Sequence, residues 1–388
     1  MPLPVRLQAA VAARHARLLA ELETLVNIDC GSYSAAGVNR VADLVAGWLV
    51  ELGATLERHP HAPAAGDAQL GDLLIGQIAG KGARLLLIGH LDTVFDPGTA
   101  AQRPYRVTGS RAHGPGVSDM KAGLLAGLHA IAALHSIGIR PRITFVANPD
   151  EEIGSPFSTP FIRALAADHD AALVLECARA NGDIVSARKG IADYRVTYTG
   201  RAAHAGVEPE KGRSAILAAA HQVLALHGLN GRWPTVTVNA GVISGGTRPN
   251  VVAESCRIEV DLRAATNAEF DAAAAELMRI VADPGIEGVR ADLTRLAGHP
   301  PMEKTAGTAR LADLARAIAA EIGFDLHDAA TGGASDANTT SRAGLPTLDG
   351  LGPIGGDDHS VDEWLDLDSI VPRTTLLAGL IASASEAL

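Results

Sequence analysis

Ile143-Thr-Phe-Val-Ala-Asn-Pro-Asp-Glu-Glu-Ile-Gly-Ser155 is an apolar, β-branched run that empties into three consecutive acids and a glycine. Ile143, Phe145 and Ala147 alternate with Thr144, Val146 and Asn148, which predicts a strand. Pro149 cannot continue a central strand, so the strand stops near Asn148. Asp150, Glu151 and Glu152 then fall on the loop at its C-terminal end, the edge at which open α/β sheets collect ligands and catalytic groups. Adjacent carboxylates repel each other, and packing gives no reason to place them at a strand exit unless a cation or a proton balances them. A solvated acidic turn accounts equally well for such a run in isolation, so the rest of the chain has to decide.

Working outward, Arg84-Leu-Leu-Leu-Ile-Gly-His90 reads as a strand buried on both faces of a mixed or parallel sheet. It ends on His90-Leu-Asp-Thr93, where Asp92 is spaced to fix the free ring N–H of a metal-bound His90. Alone, His90 also fits an ordinary turn histidine. The segment His113 to Gly123 is glycine-rich, delivers Asp119 and leads into a helix ending near His135. Its spacing matches neither glycine fingerprint that cradles phosphates, and a metal-bridging aspartate suits it better. A further strand, Ala171-Ala-Leu-Val-Leu-Glu176, again ends in an acid. Unrelated strands have no common reason to end in His, Asp and Glu, whereas a sheet edge that holds a metal does. His359, in the glycine-rich loop Gly352 to Ser360, is the last ligand candidate. Such a donor set without thiolates suits zinc most readily, then cobalt or manganese.

Composition narrows the class. The 388 residues suit two domains, or one domain with an insertion. No uninterrupted apolar run approaches the roughly 18 to 20 residues of a membrane span, and charges break up the amphipathic N-terminal helix predicted from Arg6 to about Val26. A cytoplasmic protein without membrane association is expected. The net charge of −11, with no basic block, argues against nucleic acid. Cys30, Cys177 and Cys256 are too few and too scattered for a disulfide framework or a thiolate zinc site.

Between Arg188 and Leu296 the pattern changes to period-two strands, Ala192 to Gly200, Thr235 to Val242 and Ser255 to Arg263, with helices near Ser214 to His227 and Ala268 to Val281. The predicted organisation is an α/β domain, 1–187 and 302–388, with a mixed, mostly parallel sheet, interrupted by an α+β insert, 188–301.

With these residues in hand, the chain resembles the dinuclear zinc aminoacylases and carboxypeptidases, a family that includes acetylornithine deacetylase, succinyl-diaminopimelate desuccinylase and glutamate carboxypeptidase. The motifs that carry the resemblance are His90-Leu-Asp-Thr, Gly114-Pro-Gly-Val-Ser-Asp-Met-Lys, Asp150-Glu-Glu-Ile-Gly-Ser, Glu176, Gly200-Arg-Ala-Ala-His-Ala-Gly206, Thr247-Arg-Pro-Asn250 and His359-Ser. Arg188 to Val196, taken with the His204 motif, is most similar to glutamate carboxypeptidases of the folate-cleaving type. The resemblance implies two zinc ions per chain, with Asp119 bridging them, His90 and Glu176 on one, and Glu152 and His359 on the other. Asp92 would orient His90, and Glu151 would be the general base that takes a proton from the attacking water. The bond Asp119-Met120 would be cis. The insert would be a lid and dimerisation domain, whose His204 serves the partner subunit's oxyanion in a homodimer. Lys189, Asn250, Arg263 and Gly333, with Gly332, would contact substrate.

These readings converge on a zinc-dependent amidohydrolase that releases a C-terminal amino acid, glutamate foremost, from a small N-acyl or peptidyl substrate. An N-acyl-amino-acid deacylase or dipeptidase is the alternative within the class. A catalytically silent, dimeric metal- or peptide-binding protein is the alternative outside it, and the intact Glu151 speaks against that.

Overall fold

Leu85, Leu86, Leu87 and Ile88 are all fully buried, as a strand apolar on both faces must be. They belong to Lys81–His90, inside a six-stranded sheet ordered Thr55–His59, Leu73–Ile78, Pro141–Asn148, Lys81–His90, Ala171–Val174, Thr347–Leu348. The last four strands run parallel, and the first two pair antiparallel at the other edge. This computed structural model describes residues 3–387, apart from the side chain of Ala297.

Register, more than strand order, positions the site. His90 lies opposite Asn148 and Ile88 opposite Val174. Three parallel strands therefore end level, and the loops bearing Glu151, Glu152 and Glu176 leave from the same edge as His90. Helices Gly123–Ser136 and Ile370–Ala387 pack on these strands. The stretch Val117–Ser136 is long and apolar enough to cross a membrane, but 94% of its most apolar window is buried inside the protein. It is a core helix, made of Gly, Ala and Leu because neighbours approach it closely: a Cβ on Gly123 would sit 1.8 Å from the Leu175 carbonyl oxygen.

The chain divides into two compact units, Met1–Ser186 with Lys304–Ala330 and Ser335–Leu388, and Ala187–Glu303 with Thr331–Ala334. The second is an antiparallel sheet ordered Thr237–Gly245, Ser255–Ala264, Gly190–Thr199, Arg290–His299. Helices Ala215–His227 and Asn267–Ala282 share an apolar core with it. Ser214 and Thr266 cap these helices by accepting from Leu217 N and Glu269 N.

Three features depart from the sequence reading. The N-terminal helix is two, Leu3–Ala12 and His15–Val26. Neither proline nor glycine marks the break; Arg14 turns there, and its Nε donates to His129 Nδ1 at 3.2 Å. Arg290–His299 is an additional strand, paired to Gly190–Thr199 through a register shift between Arg295 and Ala297 that spoils its period-two pattern. Finally, Thr331–Ala334 belongs to the second unit although its flanks belong to the first.

Candidate metal centre and active site

At the level strand ends, His90 is 2% exposed. Its Nε2 lies 3.1 Å from Asp119 Oδ1 and 3.7 Å from Glu176 Oε1. On the other side of Asp119, His359 Nε2 lies 3.1 Å from Oδ2 and 3.1 Å from Glu152 Oε2. Asp119 thus stands between two imidazoles, one oxygen toward each. Donors about 2.0–2.1 Å from a tetrahedral zinc are roughly 3.3 Å apart, so these spacings fit ligands of a divalent ion. In two triads, His90 with Glu151 and Glu176, and His90 with Asp119 and Glu152, all ligand atoms lie within 4.8 Å of one another. Glu151 is therefore close enough to join the cluster, and distance alone does not separate a base from a ligand here.

Electrostatics points the same way. Burial alone would lower the imidazole of His90, but Asp119, Asp92 and Glu176 outweigh it and raise it well above the usual histidine range. Hydrogen bonds to Asp119 and Glu152 push His359 up to about 10. Burial pushes Glu151 well above the usual carboxylate range, whereas the two histidines hold Asp119 below it against its own burial. A site crowded with acids recruits protons wherever it lacks cations, and a divalent ion satisfies the same need. Burial also pushes up the thiol of Cys177.

The ligands are held by groups inside the motifs, Asp92 and Lys121, and by groups outside them, Asp336 and Glu363. Asp92 accepts from Ser32 Oγ at 2.6 Å and from the backbone N–H groups of Glu151 and Glu152 at 3.2 Å each. Its carboxylate is 3.4 Å from His90 Nδ1, and its backbone carbonyl is nearer, at 3.0 Å. One residue thereby fixes both the imidazole and the acidic turn. Asp336, at the start of a helix capped by Ser335, accepts from Asn148 Nδ2 at 2.5 Å and Ser155 Oγ at 2.6 Å, clamping that turn at its two ends. Glu363, 1% exposed, accepts from the N–H groups of Gly116, Ser118 and Asp119 at 2.9, 2.8 and 3.1 Å, and burial pushes it up to about 7. The buried ammonium of Lys121 donates to the carbonyls of Ile28 and Pro115. The Asp119-Met120 bond is cis. Sequence reading passed over Asp336 and Glu363, since a lone charge in a loop looks the same whether buried or solvated, and it gave Lys121, though part of the Gly114 motif, no role.

The remaining candidates lie in the second unit. Arg263 Nη1 donates to the Gly332 carbonyl at 3.3 Å, Lys189 N to that of Thr331 at 3.0 Å, and Arg188 Nη1 to that of Gly333 at 3.2 Å. The Thr331–Ala334 excursion thus meets Lys189, which precedes the strand Gly190–Thr199, and Arg263 on the strand paired with it. His204 and Asn250 are both exposed and sit on adjoining loops, with Ala205 N donating to Asn250 O at 3.0 Å.

A mostly parallel sheet whose C-terminal edge gathers two histidines and several acids, one glutamate poised among them, defines a metal-dependent hydrolase. The chain belongs to peptidase family M20/M25/M40, whose model matches residues 86–383, and it is a zinc-dependent hydrolase. It is 33% identical to carboxypeptidase G2 of a Pseudomonas species over 97% of this chain and 91% of that one. It is 28% identical to acetylornithine deacetylase of Edwardsiella ictaluri over 88% and 90% of the two chains. The fold matches that of aminopeptidase PepT from Bacillus cereus, with TM-score 0.76 at 24% identity, covering 96% and 99% of the two chains.

Proposed function

We propose that the chain hydrolyses the amide bond of a small N-acyl or peptidyl amino acid and releases the C-terminal amino acid, glutamate foremost. The observation that carries this is Glu151, half-buried beside the His90, Asp119, Glu152, Glu176 and His359 cluster at one sheet edge. In this reading His90, Asp119 and Glu176 would hold one zinc, and Asp119, Glu152 and His359 a second. Bound there, the ions would supply Lewis acidity and lower the pKa of water toward neutrality. Glu151 accepts the proton of the attacking water and returns it to the leaving amine. Asp92 keeps the imidazole of His90 and the N–H groups of the acidic turn in place.

The choice of glutamate is supported by the 33% identity to carboxypeptidase G2, and by Lys189, just ahead of the strand Gly190–Thr199, and Arg263, on the strand paired with it, two cations suited to carboxylates, with Asn250 and Gly333 as further substrate contacts. We assign His204 to the oxyanion of a partner subunit, and the insert to lid and dimerisation. The strand Thr237–Gly245 is a sheet edge whose Val242 and Ile243 are exposed, as are Leu217 and Leu224 on the helix Ala215–His227. An uncovered apolar edge of this kind invites a second copy. Cys30, Cys177 and Cys256 are all free, which suits a reducing cytoplasm.

Likeness to acetylornithine deacetylase favours a second reading, a deacylase acting on other N-acyl amino acids. Hydrolysis of N-acylated glutamate, aspartate, alanine, glycine and ornithine by the zinc- or cobalt-loaded protein separates the two. Preference for glutamate supports the first reading, preference for ornithine or a neutral residue the second. Failure on every substrate sinks both.

A further inference from the structure

The edge of the six-stranded sheet opposite the metal centre carries charge of the other sign. Arg84 and Arg142 lie directly opposite each other on the parallel strands Lys81–His90 and Pro141–Asn148, so both side chains leave the same face of the sheet, on strands about 4.8 Å apart. Like charges so placed repel, and they stand together in a chain whose net charge is −11. Asp170 answers only one of them: it accepts from Arg84 N at 2.7 Å and pairs with Arg84 Nη2 at 3.4 Å. Among the described residues no acid lies within ion-pair distance of Arg142, which is exposed. Thr144, two residues further along the strand, and Gln77, opposite Thr144, share that face. Together they floor a recess of about 720 Å³, whose other wall is the end of the helix Thr159–Ala166 and the turn after it, with Asp168 and His169. His169 pins wall to floor. Its Nδ1 lies 2.6 Å from the Leu165 carbonyl and therefore carries the proton, and in the neutral ring Nε2 accepts from Thr144 Oγ1 at 2.8 Å.

We propose that this recess binds a phosphate group, free or as a small phosphomonoester, between the guanidinium groups of Arg84 and Arg142. A single guanidinium fork satisfies both oxygens of a carboxylate, whereas a phosphate offers three terminal oxygens and a charge of about −2, which two adjacent forks match. Such a ligand turns the repulsion between the two arginines into attraction to a shared anion. The volume lies within the roughly 300–1,000 Å³ of small-molecule sites, so the organic part of an ester has room beside the phosphate. Asp168 lines the recess from the turn and not from the floor, and Asp170 is already engaged by Arg84. Six residues of strand, roughly 20 Å at about 3.3 Å each, separate Arg84 from His90, so this is a second site, independent of the metal centre and of the reaction carried out there.

Calorimetric titration of the zinc-loaded protein with inorganic phosphate, phenyl phosphate and succinate, at constant ionic strength, tests the site. Arg142→Ala is expected to weaken phosphate binding at least about tenfold, the lower end of what a charged hydrogen bond is worth, and Arg142→Lys, which keeps the charge but loses the fork, to fall between. Phosphate held at the zinc ions is unmoved by either substitution, so it is told apart from phosphate in the recess. Melting temperature gives a second reading: phosphate raises that of the wild type and not that of Arg142→Ala, which without phosphate is at least as stable as the wild type because the repulsion is gone. Tighter binding of phenyl phosphate assigns the site to an ester, and equal binding of the two assigns it to the free ion. No binding of either phosphate, binding unmoved by Arg142→Ala, or succinate bound as tightly and weakened equally by that substitution overturns the proposal.

Discussion

The two units of this chain present their candidate functional groups in opposite ways. In the first, His90, Asp92 and Glu176 are buried, His359 alone among the proposed ligands is exposed, and the acidic turn and the Asp119 loop are each tied down by a carboxylate that accepts their backbone N–H groups. In the second, His204 and Asn250 are exposed and Lys189 and Arg263 partly so; Arg263 is paired with Asp261 and donates to the Gly332 carbonyl, and Lys189 N donates to that of Thr331. A set of groups organised before any ligand arrives suits ions and a proton transfer, which tolerate little misplacement. Groups left in solvent suit a partner or substrate that brings the remaining contacts with it.

Substitutions can break that contrast. Asp119→Ala removes the carboxylate shared by both proposed ions, so both are expected to leave and activity with them; elemental analysis of wild type and variant decides, and unchanged metal content would refute the bridging role. Glu151→Gln keeps the shape of the side chain but cannot take a proton, so turnover should fall by about 10²- to 10⁴-fold while metal content holds. Loss of metal in that variant would instead make Glu151 a ligand.

In the second unit, His204→Ala is expected to cost roughly 10²- to 10³-fold in turnover, the loss typical of one oxyanion donor, without loss of metal. Mixing it with Glu151→Gln then tests the dimer, because a heterodimer holds one complete site and should recover about half of wild-type activity. No recovery, with subunit exchange demonstrated, would confine His204 to its own chain. Glu363→Gln probes the tie-down itself: supporting groups of this kind are worth about 10- to 100-fold in metal affinity, read by chelator competition, and an unchanged affinity would reduce Glu363 to packing.

The smallest effect concerns stability. Burial first, then Arg188 and Arg295, lowers His299 in the second unit to about 4. The folded protein then binds fewer protons than the unfolded chain, so this contribution is complete above an unfolded value of about 6.5 and is lost as pH falls from there toward the folded value. Unfolding at neutral pH and at about pH 5 should differ by roughly 2 kcal/mol from this residue. His299→Gln should flatten that part of the profile, and a profile identical to wild type would place the acid sensitivity elsewhere.

How much of this was legible follows the same divide between motif and support. Strand exits bearing His90, Glu151, Glu152 and Glu176 stand out because apolar runs rarely end in such residues together, and register does the rest. Glu363 and Asp336 were illegible since their roles come from burial, which a single charge in a loop does not announce. The helix break at Arg14 left no glycine or proline to read, and the Thr331–Ala334 excursion is too short to show periodicity.

Order of synthesis gives the split first unit a last consequence. Residues 187–303 are contiguous and have their own core, so they are able to fold as soon as they emerge. The first unit must wait: its closing helix, Ile370–Ala387, packs against Leu3–Ala12, against Gly123–Ser136 and on the Lys81–His90 strand, and His359 and Glu363 arrive only just before it. A nascent chain therefore carries His90, Asp119 and the acidic turn long before it has the residues that complete the cluster, and a hydrolase assembled in this order stays inactive until its closing helix has docked.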